Sequence, residues 1–156
     1  MSNKHYIIPI FVPNEGCPHN CVFCDQTTIT GSQKKVDADF TRNTIDKYLN
    51  TINSHKAKVE VSFFGGTFTA IDIKKQTELL KVAKKYKDAG LIDLIHLSTR
   101  PDYIDNTILD NLKSYGVDVI ELGVQSLDEE VLFKSGRGHS KEDVLKASAL
   151  IKKYGF

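Results

Sequence analysis

The sequence predicts an α/β fold in which about four strands alternate with helices and form a parallel sheet. Three observations support this. The spacing of apolar residues switches along the chain between the period of a strand and the period of a helix. Glycine or proline follows most of these segments, where an element would end. A chain of 156 residues, 40% of them hydrophobic, can bury one sizeable core but not two.

The first half of the chain contains two predicted strands, each followed by a helix. Residues 6–13 are an apolar run rich in Ile, Val and Phe, which is typical of a buried strand. The apolar residues within 45–52 have the spacing of one helix face. The second strand covers 59–64, and the second helix has its apolar face within 79–86 and ends near Gly90.

The second half repeats this order. Residues 92–98 and 117–124 are the third and fourth predicted strands, and the apolar residues within 108–115 place a helix between them. The last helix has apolar residues within 144–154 and ends at Gly155. Alternation of this kind indicates βαβ units with right-handed crossovers.

Composition and charge exclude several classes of protein. A net charge of +1, with 26% charged residues, indicates neither disorder nor a strongly basic nucleic-acid surface. No apolar run approaches the ~20 residues of a membrane span, and the apolar run 6–12 is broken by Pro9 and lacks the cleavage site of a signal peptide. Three cysteines, an odd number, exclude a disulfide scaffold and indicate the reducing cytoplasm.

The three cysteines lie in one short loop directly after the first strand. Cys17, Cys21 and Cys24 have the spacing Cys-x3-Cys-x2-Cys. Parallel α/β sheets bind ligands in loops at the carboxyl ends of their strands. Three thiolates this close together can converge on one soft centre, which is zinc, copper(I) or an iron–sulfur cluster.

The number of ligands separates these centres. A structural zinc site is closed by four ligands, so zinc requires His19, Asp25 or His139 beside the three cysteines. A cubane cluster held by three cysteines keeps one iron open for a substrate or cofactor. A third alternative is that the cysteines hold no metal.

The cysteine loop and the end of the second strand carry a resemblance to a known family. Cys17-x3-Cys21-x2-Cys24, with the aromatic Phe23 before the last cysteine, resembles the signature of the radical S-adenosylmethionine (SAM) superfamily. Gly-Gly-Thr-Phe at 65–68 is similar to the Gly-Gly motif of that superfamily.

Two further motifs follow in the expected order. Thr-Arg-Pro-Asp at 99–102 and Gly-Val-Gln-Ser at 123–126, with Arg-Gly-His at 137–139, resemble the Elongator catalytic subunit and its short bacterial relatives. The oxygen-independent coproporphyrinogen oxidases share the Gly-Val-Gln-Ser element and its spacing to the arginine. The resemblance covers residues 7–156.

The resemblance implies a partial (βα) barrel with one [4Fe-4S] cluster at its C-terminal mouth, held by Cys17, Cys21 and Cys24. It implies an enzyme that cleaves SAM reductively to a 5′-deoxyadenosyl radical, which abstracts hydrogen from a substrate. A reductant such as flavodoxin or ferredoxin would supply the electron, and the substrate would be tRNA or a small molecule. A zinc-binding module and a cluster-bearing electron carrier are the alternatives to an enzyme.

The resemblance also implies which residues contact the cofactors. Gly65 and Gly66 let backbone approach the methionine amino group, and Arg137 binds the carboxylate of SAM. The full set is Phe23, Gly65, Gly66, Thr67, Arg100, Gln125 and Arg137.

Each of these residues also has a structural alternative. The glycines would form a plain turn, Thr67 a helix cap and Phe23 hydrophobic cover. Gln125 would be a buried structural side chain, Arg137 part of a flexible surface turn and Arg100 a member of a surface ion pair.

Two positions differ from the coproporphyrinogen oxidases. Ser98 stands where they have a glutamate, so ribose recognition is expected to differ, and Phe11 stands where they have a tyrosine. Elongator-type proteins often space the first two cysteines more widely and fuse an acetyltransferase domain, which these 156 residues do not include. The subgroup is recognisable, and the substrate stays open.

The C-terminal residues raise a further expectation. Gly155 and Phe156 follow a helix at the point where a fifth strand would begin, and a closed eightfold barrel takes ~250 residues. We therefore expect residues 1–156 to be the N-terminal portion of a radical SAM domain, with a complete four-unit fold as the alternative. The fourth strand, 117–124, would then be an exposed edge, which predicts self-association.

Overall fold

Four parallel strands form one sheet in the order β1-β2-β3-β4 in the computed structural model, which describes residues 4–12, 19, 21–24, 35–52 and 57–156. The strands are β1 (Lys4–Val12), β2 (Ala57–Gly65), β3 (Leu94–Thr99) and β4 (Val119–Leu122). Each strand pairs with the next one along the chain, and every pairing is parallel. The predicted α/β class and its parallel sheet are therefore confirmed.

Within the described residues, five α-helices accompany the strands: α1 (Ala38–Leu49), α2 (Ile73–Asp88), α3 (Asn106–Ser114), α4 (Glu129–Lys134) and α5 (Lys141–Tyr154). Each begins at an Asp or Ser whose side chain accepts a backbone N–H of the first turn. The sequence predicted all of them except α4. In the part of the chain that the structure describes, no helix combines the length and the apolar character that crossing a membrane requires.

The two faces of the sheet differ in cover. On one face, alternate residues such as Ile8, Phe63 and Leu97 are fully buried against the helices. On the other face, Ile7 and Phe11 are each about half exposed. The helices therefore cover one face and leave the other open among the described residues.

Strand β4 is shorter than the predicted 117–124. Before it, the Asp118 carboxylate accepts the Ile95 N–H and pairs with Lys87 Nζ at 2.6 Å, which fixes the entry into the sheet. After it, Val124 N–H donates a hydrogen bond to the Leu122 carbonyl at 2.9 Å, and this turn takes the chain out of the sheet. Within the described residues β4 pairs with β3 alone and lies at an edge of the sheet, as predicted.

A buried acid lies in the middle of the open face. Glu60 on β2 is 5% exposed and accepts a hydrogen bond from Ser62 Oγ at 2.6 Å. Its carboxylate also lies 2.7 Å from His96 Nδ1 and 3.0 Å from His5 Nε2. Burial by itself raises the pKa of Glu60, but the hydrogen bonds from Ser62 and His96 and the charges of His96 and His5 lower it below its ordinary value of 4.5.

This lowered pKa predicts an acid-sensitive contribution to stability. Glu60 stabilises the fold above its unfolded pKa, and the contribution disappears as the pH falls through the lower folded pKa. Melting temperatures measured by circular dichroism are expected to fall more steeply below about pH 4.5 in the wild type than in Glu60→Gln. Glu130→Gln, an exposed acid on α4, is the control. Parallel pH profiles for wild type and Glu60→Gln would contradict this prediction.

Candidate functional site

A cleft of about 330 Å³ opens at the carboxyl ends of β2, β3 and β4. Nine of the ten residues predicted to hold cofactors line it, and the tenth, Cys17, lies outside the described residues. The nine are Cys21, Phe23, Cys24, Gly65, Gly66, Thr67, Arg100, Gln125 and Arg137. Four separate sequence motifs therefore meet at one end of the sheet.

The described part of the cysteine loop turns tightly beside α4. Cys24 N–H donates to the Cys21 carbonyl at 2.9 Å, and Val22 N–H donates to the Ser135 carbonyl at 3.0 Å. Cys21 is buried, Cys24 is exposed, and neither forms a disulfide. The convergence of three sulfurs stays a prediction because Cys17 lies outside the described residues.

The zinc alternative required a fourth ligand from His19, Asp25 or His139. Within the described ranges, no group of three His, Cys, Asp or Glu side chains is placed to hold a metal ion. Neither histidine therefore joins both Cys21 and Cys24 in such a group, and Asp25 lies outside the described residues.

The turn after β2 brings backbone into the cleft. Gly65 has φ +106°, and a Cβ there would collide with the Val12 carbonyl oxygen of β1. This contact explains why position 65 is glycine, while Gly66 N–H donates to the same oxygen at 3.1 Å. Thr67 is buried and its side chain makes no capping hydrogen bond, so the predicted alternative of a cap is wrong.

Arg100 is held inside the protein. It is 2% exposed, and its fork binds the Asp102 carboxylate through two hydrogen bonds of 2.9 and 2.8 Å. Its Nη2 also donates to the Arg137 carbonyl at 2.6 Å. The alternative of a surface ion pair is therefore wrong, and Arg100 positions the backbone of Arg137.

Arg137 lies next to the cysteine loop and is 8% exposed. Its Nη2 donates to the Gly123 carbonyl, and its Nη1 lies 3.8 Å from Cys21 Sγ. Its Nε has no hydrogen-bond partner among the described residues. Because Arg137 is buried, the alternative of a flexible surface turn is wrong. A buried guanidinium with an unused N–H favours an anionic ligand in the cleft.

Two more side chains of interest, Gln125 and His139, follow β4 in the chain. Gln125 has φ +67°, a left-handed conformation that costs a non-glycine residue on the order of 1 kcal/mol and is typical of functional sites. Its side chain is exposed, so the alternative of a buried structural glutamine is wrong. His139 donates to the Val124 carbonyl at 3.1 Å, and burial and the Arg137 charge lower its pKa, which keeps it neutral near pH 7.

Five further residues line the cleft that the sequence did not assign to cofactor binding: His19, Ser98, Thr99, Glu121 and Gly123. Ser98 and Glu121 are paired in the register of β3 and β4, and Ser98 Oγ donates to Glu121 Oε2 at 2.9 Å. Ser98 and Glu121 both lie in predicted strands whose carboxyl ends meet at the cleft, and this position is the sequence signal that could have identified them.

A comparison with protein families shows the family to which the chain belongs. The family model described as the radical SAM superfamily matches residues 11–156. The chain belongs to the radical SAM superfamily. It is 26% identical to a tRNA uridine(34) acetyltransferase of Methanocaldococcus infernus, over 96% of this chain and 35% of that protein. The chain thus spans about a third of the length of this curated relative.

Solved structures of the superfamily have the same fold. The Elp3 protein of Methanocaldococcus infernus, solved with an N-terminal deletion, matches 94% of this chain and 35% of its own, with a TM-score of 0.63 and 23% identity. Coproporphyrinogen III oxidase of Escherichia coli matches 98% of this chain and 35% of its own, with a TM-score of 0.59 and 19% identity. The predicted partial barrel of the radical SAM type is therefore confirmed.

Proposed function

We propose that the cleft binds a [4Fe-4S] cluster and SAM, and that the protein cleaves SAM reductively to start hydrogen abstraction from a substrate. The observation that carries this proposal is the meeting of nine predicted cofactor residues in one cleft, one of which, Arg137, has an unused buried N–H. When bound, the reduced cluster supplies the electron that cleaves SAM to methionine and a 5′-deoxyadenosyl radical.

The chain's own residues divide the work of binding and orientation. Cys17, Cys21 and Cys24 would hold the cluster, and the Arg137 Nη1 beside Cys21 Sγ gives that sulfur a charged donor that stabilises negative charge. Arg137 would also bind the carboxylate of SAM through its remaining N–H. Gly66 presents backbone without a side chain to the amino group, and Phe23 would shield the cluster from water.

For the substrate we propose tRNA, because the relative that matches 96% of this chain is named as a tRNA uridine(34) acetyltransferase. The second candidate is a small molecule, because a coproporphyrinogen oxidase shares the fold. A flavodoxin or ferredoxin would supply the electron in the reducing cytoplasm. The exposed edge of β4 would allow self-association.

Anaerobic reconstitution with iron and sulfide, followed by dithionite and SAM, tests the function. We expect a brown protein that releases 5′-deoxyadenosine, measured by liquid chromatography. A colourless protein that binds one zinc ion would favour the binding module. A brown protein that leaves SAM intact would favour the electron carrier.

Gly66→Val is expected to weaken SAM binding at least about tenfold, because the branched side chain would enter the path of the ligand. Gly66 does not have a positive φ, so the backbone tolerates valine. Calorimetric titration with SAM measures the affinity, and iron content should be unchanged. Gly66→Ala, with a smaller side chain, should fall between wild type and Gly66→Val. Unchanged affinity in Gly66→Val would show that the Gly-Gly assignment is wrong.

A further inference from the structure

A second cavity lies on the helical side of the sheet and shares no lining residue with the cleft. It is a groove of about 480 Å³ between α1 and α2. Near its start, Ala38 N–H donates to Glu78 Oε1 at 2.9 Å. Further along, the Tyr86 hydroxyl donates to Asp46 Oδ1 at 2.5 Å. Both contacts join residues 40 positions apart, so the two helices lie side by side and run in the same direction.

Basic side chains dominate the charge of this groove. Among the described residues that line it, Glu78 is the only acid, and four are basic: Arg42, Lys74, Lys81 and Lys85. The whole chain has a net charge of only +1, from which the sequence predicted no strongly basic surface. The fold nevertheless concentrates positive charge at one place, which favours an anionic partner there.

The lysines of α2 differ in whether an acid neutralises them. Lys84 pairs with Asp88 at 2.8 Å, and Lys87 pairs with Asp118 at 2.6 Å. Neither of these paired lysines lines the groove. The three lysines that do line it have no acidic partner within the part of the chain that the structure describes. The charges inside the groove are therefore available to a ligand.

We infer that the groove between α1 and α2 binds the phosphate backbone of tRNA, an inference that rests on the tRNA substrate proposed above. Lys74, Lys81 and Lys85 spread three ammonium groups over about 16 Å of the helix axis. A polyanion with regularly spaced phosphates meets such a row along its length, whereas a small anion meets only one member of it. Each contact releases counterions and adds affinity without reading the base sequence.

The groove begins at the end of the sheet where the cleft opens. Gly65 and Gly66 line the cleft, and one short 3-10 turn, Phe68–Ala70, separates them from the start of α2. Lys74 in the first turn of α2 therefore lies toward the cleft, and the other lysines of the row lie further down the outer wall. A tRNA held along the groove would extend toward the cleft, so both can bind one molecule.

Fluorescence anisotropy of a fluorescein-labelled tRNA transcript with uridine at position 34 tests this inference. The affinity is measured over a range of salt concentrations, because each phosphate contact steepens the dependence of the binding constant on salt. Lys81→Gln/Lys85→Gln is expected to weaken binding about three- to tenfold and to lower the slope of log K against log salt by about 2. Glutamine removes the charge and keeps a helix-forming side chain.

Lys152→Gln/Lys153→Gln is the matched control, since it removes two exposed charges from the last turn of α5, outside the groove. Its affinity for tRNA and its salt slope should equal those of wild type. Melting temperature, iron content and SAM affinity show whether each variant keeps its fold and its cleft.

The possible results separate this inference from the proposed function. If wild type binds tRNA and the groove variant keeps its affinity and salt slope, or the control loses as much, this inference alone is overturned. If wild type binds SAM but no tRNA, the proposed substrate and this inference are both overturned, and the cofactor function stands. If labelled polyglutamate binds more tightly than tRNA and loses affinity in the groove variant, the groove binds an acidic protein, and the assignment to RNA is overturned.

Discussion

Cys21→Ala is expected to abolish the brown colour, the iron content and the release of 5′-deoxyadenosine after anaerobic reconstitution. A cubane needs all three cysteines here, because the chain has three and no other to substitute. The fold should remain, because the core comes from the strands and helices and Cys21 is not among the side chains of the main cluster. Absorbance, iron analysis and circular dichroism measure these properties on one sample.

Val22→Ala is the matched control in the same loop, since its side chain is 79% exposed. It should keep colour, iron and turnover. Cys17→Ala and Cys24→Ala should behave as Cys21→Ala does. A Cys21→Ala protein that retains full iron and cleaves SAM would show that the three-cysteine assignment is wrong.

The fold was largely predictable because the spacing of apolar residues and the glycines that end elements indicate the same strands and helices along most of the chain. Helix α4 escaped prediction because it has only six residues and exposes Val131 and Phe133, so no apolar face marks it. The ends of β4 escaped for another reason. Its apolar run is longer than the paired segment. Asp118 binds Ile95, which is distant in sequence, and the local turn of Val124 N–H back to the Leu122 carbonyl takes the chain out of the sheet.

The residues that line the cleft were predictable as motifs, since the carboxyl ends of parallel strands bring separate motifs to one edge of the sheet. The contacts that these side chains make with one another in the cleft were not predictable. Arg100 was expected at the cofactor, but whether its fork stays free depends on Asp102, which the local backbone places beside it. Glu121 becomes a neighbour of Ser98 only through the register of β3 and β4, which the apolar pattern does not specify.

Arg137→Met is expected to weaken SAM binding by about 10- to 100-fold, the range of a lost hydrogen bond to a charged group. Arg137→Lys should also weaken binding, because an ammonium lacks the planar fork that reaches the Gly123 carbonyl and a ligand together. Calorimetric titration of the reconstituted variants with SAM measures both affinities. Iron content must be measured in parallel, since Arg137 also contacts Cys21.

Titration with decarboxylated SAM distinguishes two roles of Arg137, which are to bind the carboxylate of SAM and to hold the residues of the cleft in place. If Arg137 binds the carboxylate, wild type and Arg137→Met should bind this analogue with similar affinity, because the group that distinguishes them is absent. Arg42→Lys on α1, an exposed arginine paired with Asp39, should leave both affinities unchanged. An equal loss for SAM and its decarboxylated analogue would contradict the assignment. Arg137 would then act through the Gly123 carbonyl and Cys21, holding the end of β4 against the cysteine loop.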